Sequence, residues 1–472
     1  MASAQTPSPQ TKAELKPRFD AAVSAYQAGK LPEATAAFEK LNTDFPDEAS
    51  VQSWLGFLLI RSNRPKEAVP ILQKVYDNGH KDDMEVVNNL GNAYLAIGEE
   101  DKALAKYKEI QDAGTKLFEP YYNSGTIYLK RKNYPAAIAQ FTEAVKRKSD
   151  DPFAYNNLGV AYEGNKQSPE SAENFRKASD LKPDNAAFAR NAGLTLSRLN
   201  RQVDAVAYLE RAAKASPTPD PSVAIALADA YSRLNKNAGA LKTLEDAKAN
   251  AGDNWMFWFN LGVLRSGAGD ASGAEVAYRK ANEINPNDLD TLNNLGLLLF
   301  KGGKYADAVV VFNKLAGLNP RSVDAQLNLA AAAARAKDYK TAIAAWKTVI
   351  KSEPSRPAVR LDLANALFEQ NDFEGARFHW QKVLEKDKSN AEALNGLALL
   401  YMQEQKYAAA EAALRASIAS DPKFALAYNN LAIVLERRGL RPKAIEVLQQ
   451  GLKVDPANEA MRLNLERMQR AS

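Results

Sequence analysis

Apolar, small and polar residues recur along the chain with a period of 34 residues. The clearest marker of this period is the run Asn156-Asn157-Leu158-Gly159. The same run, or a close copy with Ala in place of Gly, starts at residues 88, 293 and 429. A fixed period of this size is typical of a repeat protein. When each Gly of the marker is placed at position 8, the chain divides into 13 units, with one extra residue at Asp83 and one at Asp220. The units begin at Leu15, Ala49, Met84, Phe118, Pro152, Ala186, Pro221, Trp255, Leu289, Val323, Pro357, Ala391 and Ala425.

Within each unit the pattern predicts two α-helices. Positions 4, 7, 8 and 11 are apolar or small, and positions 20, 24 and 27 repeat that helical spacing. Position 8 is always Gly or Ala, position 20 is Ala except at Ser171, and position 24 is always large. A Pro at position 32 of eight units ends the second helix, and Gly near position 15 ends the first in several units. We therefore predict an all-α chain in which small residues let two helices approach and a large residue fills the space beside them.

This layout resembles the tetratricopeptide repeat, whose pattern has small residues at positions 8 and 20, an aromatic residue near 24 and Pro at 32. The resemblance covers residues 15–458. It implies a right-handed α-solenoid of 13 helix-turn-helix units. In such a solenoid the first helices line a concave groove and the second helices lie outside.

The ends and one internal connector depart from the repeat. Residues 1–14 are rich in Ala, Ser, Thr, Gln, Pro and Lys, and we expect a disordered leader. Residues 15–219 hold units 1–6 and residues 220–458 hold units 7–13 of one continuous solenoid. Three Pro residues within 216–221 indicate either a break there or a longer loop in an unbroken array. Residues 459–472 carry an amphipathic pattern that predicts a capping helix.

Asparagine recurs at position 6, although Asn is a poor helix former. Its amide has a donor and an acceptor, which suits the backbone of an extended peptide. The series resembles the asparagine ladder in the repeat region of O-linked N-acetylglucosamine transferase, which holds peptide backbones. The matching residues are Asn89, Asn123, Asn157, Asn191, Asn260, Asn294, Asn328 and Asn430. Ala226, Asp362 and Gly396 interrupt the series. The alternative is that these amides join neighbouring repeats and fix their stacking.

Basic residues at position 13 and a few apolar side chains complete the predicted groove. The basic residues are Arg61, Lys130, Arg198, Arg233, Lys301, Arg335 and Arg437. They favour an acidic partner segment, unless they only form a solvated face. Phe57 and Ile60 fall at groove positions 9 and 12, and Phe259 exceeds what its helix needs for packing. We expect these three side chains to seat apolar groups of the partner, with packing as the alternative for Phe259.

Composition excludes several classes of function. The chain has no Cys and two His, and the repeat occupies nearly its whole length, so we predict no catalytic site, no cofactor and no metal. The net charge of +5 is small for 472 residues, and we predict no nucleic-acid partner. No stretch approaches the roughly 20 apolar residues that span a bilayer, so we predict no direct membrane insertion.

The sequence thus predicts a protein-interaction scaffold that binds an extended or helical segment of a partner in the groove. Two alternatives stay open: a scaffold for envelope polysaccharide export or an assembly machinery, and a self-assembling homo-oligomer. Ala2-Ser3-Ala4-Gln5 is similar to the remnant of a cleaved signal peptide. This favours an exported, periplasmic bacterial protein slightly over a cytoplasmic one, and the compartment is otherwise unknown.

Overall fold

The computed structural model describes residues 12–470, all of whose regular structure is helical. Residues 1–11, and with them most of the predicted leader, lie outside the described part. The helices are α1 Lys12–Gln27, α2 Leu31–Asp44, α3 Ala49–Arg61, α4 Pro65–Asp77, α5 Met84–Ala96, α6 Glu100–Asp112, α7 Glu119–Lys130, α8 Tyr134–Arg147, α9 Pro152–Gly164, α10 Ser168–Leu181, α11 Ala186–Arg198, α12 Gln202–Ala215, α13 Pro221–Arg233, α14 Asn237–Ala247, α15 Trp255–Gly267, α16 Ala271–Ile284, α17 Leu289–Lys301, α18 Tyr305–Leu318, α19 Val323–Arg335, α20 Tyr339–Ser352, α21 Pro357–Glu369, α22 Phe373–Leu384, α23 Ala391–Gln403, α24 Tyr407–Ser420, α25 Ala425–Arg437, α26 Arg441–Val454 and α27 Glu459–Arg470.

The helices begin where the period places them. Every first helix other than α1 and α7 starts at position 1 of its unit, and the capping helix α27 starts at Glu459 as predicted. Helix α1 starts three residues early, at Lys12, because Lys, Ala, Glu and Leu all favour helix. The two inserted residues, Asp83 and Asp220, are N-caps. Their carboxylates accept hydrogen bonds from the backbone amides in the first turns of α5 and α13. The predicted all-α fold of consecutive helix-turn-helix pairs is confirmed.

Positions 8 and 24 pack against each other inside each repeat. A Cβ atom added to Gly159 would lie 2.7 Å from the ring of Phe175, and one added to Gly296 would lie 2.5 Å from the ring of Phe312. Phe175 and Phe312 are each 1% exposed. The small residue therefore makes room for the large one, as the sequence predicts.

The turn between the two helices of a repeat has one conformation throughout. Position 15 has a positive φ whether it is glycine, as at Gly98 (φ 85°), or another residue, as at Asn63 (φ 60°) and Lys132 (φ 58°). A positive φ is uncommon for residues other than glycine. The packing of the two helices thus imposes the turn even where the sequence lacks its usual glycine signal.

Contacts between Cα atoms divide the chain between Asn250 and Ala251. We call residues 12–250 the N-terminal body and residues 251–470 the C-terminal body. In the N-terminal body the segment 216–221 connects α12 to α13, which pack on each other, and a short 3-10 helix, Lys248–Asn250, follows α14. In the C-terminal body α27 packs on α26 and buries Met461 and Met468. The break near 216–221 and the continuity of the solenoid stay predictions.

Among the helices so described, none has both the length and the hydropathy needed to cross a membrane.

Candidate peptide-binding face

In each body the first helices of successive repeats lie side by side. In the N-terminal body α3 contacts α5, α5 contacts α7 and α7 contacts α9. In the C-terminal body α15 contacts α17, α17 contacts α19, α21 contacts α23 and α23 contacts α25. We call the surface they form the first-helix face. It carries positions 5, 6, 9, 12 and 13, where the predicted site residues lie.

Asparagine side chains join neighbouring repeats across this face. The position-6 amide nitrogen donates to the Oδ1 atom of the position-5 Asn of the preceding repeat, 35 residues earlier. The bonds are Asn191 to Asn156 (3.0 Å), Asn328 to Asn293 (3.4 Å), Asn430 to Asn395 (2.8 Å) and, from the capping helix, Asn464 to Asn429 (2.9 Å). Since these donors are engaged inside the protein, their geometry favours the stacking interpretation.

Three further position-6 residues meet tyrosines. Asn123 donates to Asn92 Oδ1 at 2.8 Å and to the Tyr107 hydroxyl at 3.2 Å. Asn157 donates to the Tyr122 hydroxyl at 3.2 Å. Burial raises the pKa of Tyr278 to about 12, and a hydrogen bond with Asn294 acts in the opposite direction. Burial likewise raises the pKa of Tyr107 and of Tyr122, so all three hydroxyls stay protonated at neutral pH.

The remaining two are placed differently. Asn260 donates to the Met256 carbonyl of its own helix, at 2.8 Å. Asn89 lines a pocket described below. The gap in the series at Gly396 has a steric cause, because a Cβ atom there would lie 2.2 Å from the Trp380 indole. Trp380 is the position-24 residue of the preceding repeat, a neighbour that reading position 6 alone does not reveal.

The position-13 cations are all exposed, but their partners differ between the bodies. In the N-terminal body Lys130 pairs with Glu100 at 2.6 Å, Arg198 pairs with Glu163, and Arg233 pairs with Asp229 at 2.8 Å. The guanidinium of Arg61 lies 5.7 Å from the ring centroid of Phe57 and 5.9 Å from that of Tyr26. In the C-terminal body Lys301, Arg335 and Arg437 form no ion pair or hydrogen bond through their side chains with other described residues.

The predicted apolar anchors are half-buried. Phe57 packs edge-on against Trp54 (5.8 Å between centroids) and Tyr26 (5.4 Å). Ile60 packs against the core of the first repeats. Phe259 lies 6.1 Å from the Tyr278 ring and also packs against the core. All three side chains therefore support packing, and Phe57 also lines a pocket.

That pocket lies on the N-terminal body between α3, α5 and α7, and we call it the acidic pocket. Its volume is 340 Å³. Its lining residues are Ser53, Trp54, Phe57, Asp83, Glu85, Val86, Asn88, Asn89, Leu117 and Glu119. None of its three carboxylates forms an ion pair with a residue in the range 12–470. Sequence analysis missed this site, although Glu85 and Glu119 both occupy position 2 and a census of that position signals it.

Comparison with protein-family models supports the repeat assignment. The tetratricopeptide repeat model matches residues 19–83, 58–116, 164–218, 225–288, 293–357, 335–392, 361–423 and 395–459. A second model, described as TPR repeat, matches residues 125–166. The chain belongs to the tetratricopeptide repeat family. No curated protein matches this family member significantly. Within residues 12–470, no group of three or more His, Cys, Asp or Glu is placed to hold a metal ion.

Several solved structures are similar to the chain at low identity. The Cut9–Hcn1 hetero-tetramer of the APC/C is 15% identical, with 97% of this chain and 99% of that chain covered and a TM-score of 0.34. YrrB, titled a TPR protein with an unusual peptide-binding site, is 19% identical over 39% of this chain and 95% of its own, with a TM-score of 0.36. The C-terminal part of a TPR repeat-containing protein from Cytophaga hutchinsonii is 15% identical over 59% and 99%, with a TM-score of 0.39.

Proposed function

We propose that this tetratricopeptide repeat chain is a non-catalytic scaffold that binds a segment of a partner protein along its first-helix face. The repeats themselves support a protein–protein interaction scaffold, and their fold is generally non-catalytic. The observation that carries the finer proposal is the set of exposed cations Lys301, Arg335 and Arg437 in the C-terminal body. They recur at position 13 and have no ion pair of their own among the described residues. An acidic segment lying along this face would supply the missing counter-charges.

The asparagines have a divided role in this proposal. Asn191, Asn328 and Asn430 bond to the preceding repeat and so hold the face in shape. Among residues 12–470, Asn89 and Asn260 form no side-chain hydrogen bond to another repeat, and we propose that these two amides contact the partner backbone. Each contact of this kind contributes about 0.5–1.5 kcal/mol net. Because such contacts are made to the backbone and do not depend on the partner's side chains, the charges would select the partner's sequence.

The proposal is tested by panning a library of short random peptides on the full-length chain. We expect enrichment of Asp and Glu among the selected peptides. The variant Lys301→Ala/Arg335→Ala/Arg437→Ala should bind a selected acidic peptide about tenfold more weakly, because three favourable charge contacts are lost. Added salt should weaken wild-type binding as well.

The matched control removes three exposed lysines from the second helices of the same body, in the variant Lys314→Ala/Lys340→Ala/Lys347→Ala. It changes the net charge equally but leaves the first-helix face intact, so binding should change little. Equal losses in both variants would show that binding follows net charge alone and would refute selection by the first-helix face.

A further inference from the structure

We infer that the acidic pocket of the N-terminal body binds an arginine side chain of the partner segment. The inference rests on the proposed function in that the occupant is a peptide. It adds to the acidic segment of the partner a second recognised group, an arginine, of the opposite charge. Three independent features of the pocket carry it: its charge, its aromatic wall and a broken asparagine bond.

The first feature is the charge of the residues that line the pocket. Asp83, Glu85 and Glu119 are exposed carboxylates, and the residues that line the pocket include no Lys or Arg. Asp83 uses its Oδ1 atom to cap α5, accepting from the Glu85 and Val86 amides at 3.0 and 3.2 Å. Glu85 and Glu119 accept no side-chain hydrogen bond from any described residue. Three negative charges around one concavity repel an acidic ligand and attract a cation.

The second feature is an aromatic wall formed by Trp54 and Phe57, which the buried core supports. The Trp54 indole stacks on Phe38, with centroids 5.6 Å apart and an interplanar angle of 7°, and Phe38 is fully buried. Phe57 stands edge-on to Trp54 at 87°. A guanidinium is planar and weakly hydrated, so it stacks on an aromatic face while its N–H groups bond to carboxylates. Arg61 already lies over Phe57 and Tyr26, so the same cluster holds one guanidinium outside the pocket.

The third feature is an acceptor that has lost its usual donor. Position-5 asparagines such as Asn156 and Asn395 accept from position 6 of the next repeat. The corresponding donor for Asn88 is Asn123, which instead bonds to Asn92 and Tyr107. Asn88 Oδ1 is consequently buried with no hydrogen-bond partner among residues 12–470, in a residue that lines the pocket. A buried acceptor of this kind calls for a donor. Rotation of the Asn88 amide would present the oxygen to an arginine, which has five N–H groups.

The test is a double-mutant cycle on the full-length chain. Random-peptide panning on wild type should return peptides enriched in Arg. One of these peptides is then synthesised with its Arg or with citrulline, which keeps the shape and removes the charge. We expect citrulline to weaken binding to wild type about tenfold. For the Glu85→Gln/Glu119→Gln variant the Arg and citrulline peptides should bind equally. Both glutamates are exposed, so the variant should fold, which a thermal melt verifies.

The matched control is Asp290→Asn/Asp324→Asn. These two exposed carboxylates occupy the same position 2 in the C-terminal body, and their change alters net charge equally. Citrulline should still weaken binding to this control. If citrulline weakens binding equally in wild type and in Glu85→Gln/Glu119→Gln, the inference that the pocket binds arginine is wrong.

Three other outcomes also overturn it, and the first two separate it from the proposed function. Peptides that depend on Lys301, Arg335 and Arg437 but show no Arg enrichment refute the pocket alone. Concentration-dependent dimers that dissociate in the glutamate variant would assign the pocket to a second copy of the chain. A library that yields no binder refutes the scaffold proposal together with the pocket.

Discussion

The N-terminal and C-terminal bodies carry cations at the same repeat position but leave opposite charges unpaired. In the N-terminal body Lys130, Arg198 and Arg233 are held by carboxylates of the chain itself. The unpaired groups around its pocket are carboxylates. In the C-terminal body the position-13 cations have no such partner among the described residues. The position in the repeat determines where a charged residue lies. The residues around it determine whether it is already ion-paired within the chain or available to a partner protein.

For Lys130 and Arg198 the pairing follows from two positions in the preceding repeat, whereas Arg233 pairs with Asp229 of its own helix. Lys130 meets Glu100 at position 17 and Arg198 meets Glu163 at position 12. Ahead of the three C-terminal cations, neither position holds a carboxylate. Position 12 is Ser266, Phe300 and Met402, and position 17 is Ala271, Tyr305 and Tyr407. These residues explain why Lys130 and Arg198 are paired while Lys301, Arg335 and Arg437 are not. Arg61 also follows a repeat without these carboxylates, and among the described residues it lies over Phe57 and Tyr26 and forms no ion pair.

The largest expected effect is a loss of stability that is confined to one of the two bodies. Phe312→Ala should destabilise the C-terminal body by about 3–5 kcal/mol, because Phe312 is 1% exposed and fills the space beside Gly296. Each repeat contacts only its neighbours, so the loss should stay local. Hydrogen exchange should show faster exchange around α17–α19, and the acidic peptide should bind more weakly. The Arg peptide should keep its affinity.

Phe141→Ala provides the reciprocal control, since Phe141 is fully buried at the same position in the N-terminal body. It should speed exchange around α7–α9 and weaken the Arg peptide selectively. Uniform loss of protection from residue 12 to residue 470 in either variant would show that the two bodies unfold as one and that the comparison has no energetic basis.

An intermediate effect concerns what the two bodies share. Asn191→Ala and Asn430→Ala each remove the donor of a bond between repeats. Asn430→Ala leaves Asn395, which is 4% exposed, with an unpaired oxygen, and the expected cost is about 1–3 kcal/mol. Asn260→Ala removes only a bond within one helix, so its effect should stay within about 0.5 kcal/mol. Urea unfolding measures all three variants.

If Asn260→Ala destabilised the chain as much as Asn430→Ala, the bonds between repeats would have no special role in stacking. The expected order would instead place the asparagine bonds in the framework common to both bodies. It would leave the unpaired charges as the feature in which the bodies differ.

These contrasts also show what the sequence could predict. A single period predicted the start of nearly every first helix, the capping helix and the pairing of positions 8 and 24, because those features depend on one residue type recurring in one register. The partner of each polar side chain depends on the preceding repeat as well. Asn123 donates a hydrogen bond to the Tyr107 hydroxyl, and the Trp380 indole occupies the space that a side chain at Gly396 would need. The acidic pocket requires residues from three repeats, so positions 6 and 13 could not indicate it, and its trace in the sequence is the pair of carboxylates at position 2, Glu85 and Glu119.

The smallest expected effect comes from variants that free position-13 cations in the N-terminal body and pair one in the C-terminal body. Glu100→Gln/Glu163→Gln removes the partners of Lys130 and Arg198, and it should strengthen binding of the acidic peptide a few-fold at low salt. Ser266→Glu places a carboxylate at position 12 ahead of Lys301 and should weaken binding by a similar factor. Ser266 is exposed on α15, so the substitution should leave the fold intact. Fluorescence anisotropy of a labelled acidic peptide measures both changes, and added salt should abolish them because exposed pairs are screened. Net charge alone would also strengthen binding in the first variant and weaken it in the second, so each is compared with a control that makes the same charge change at an exposed position away from the position-13 cations. Equal changes in the controls would mean that the peptide responds to overall charge. Changes that clearly exceed those in the controls would show that a carboxylate one repeat earlier decides whether a position-13 cation is available to a partner.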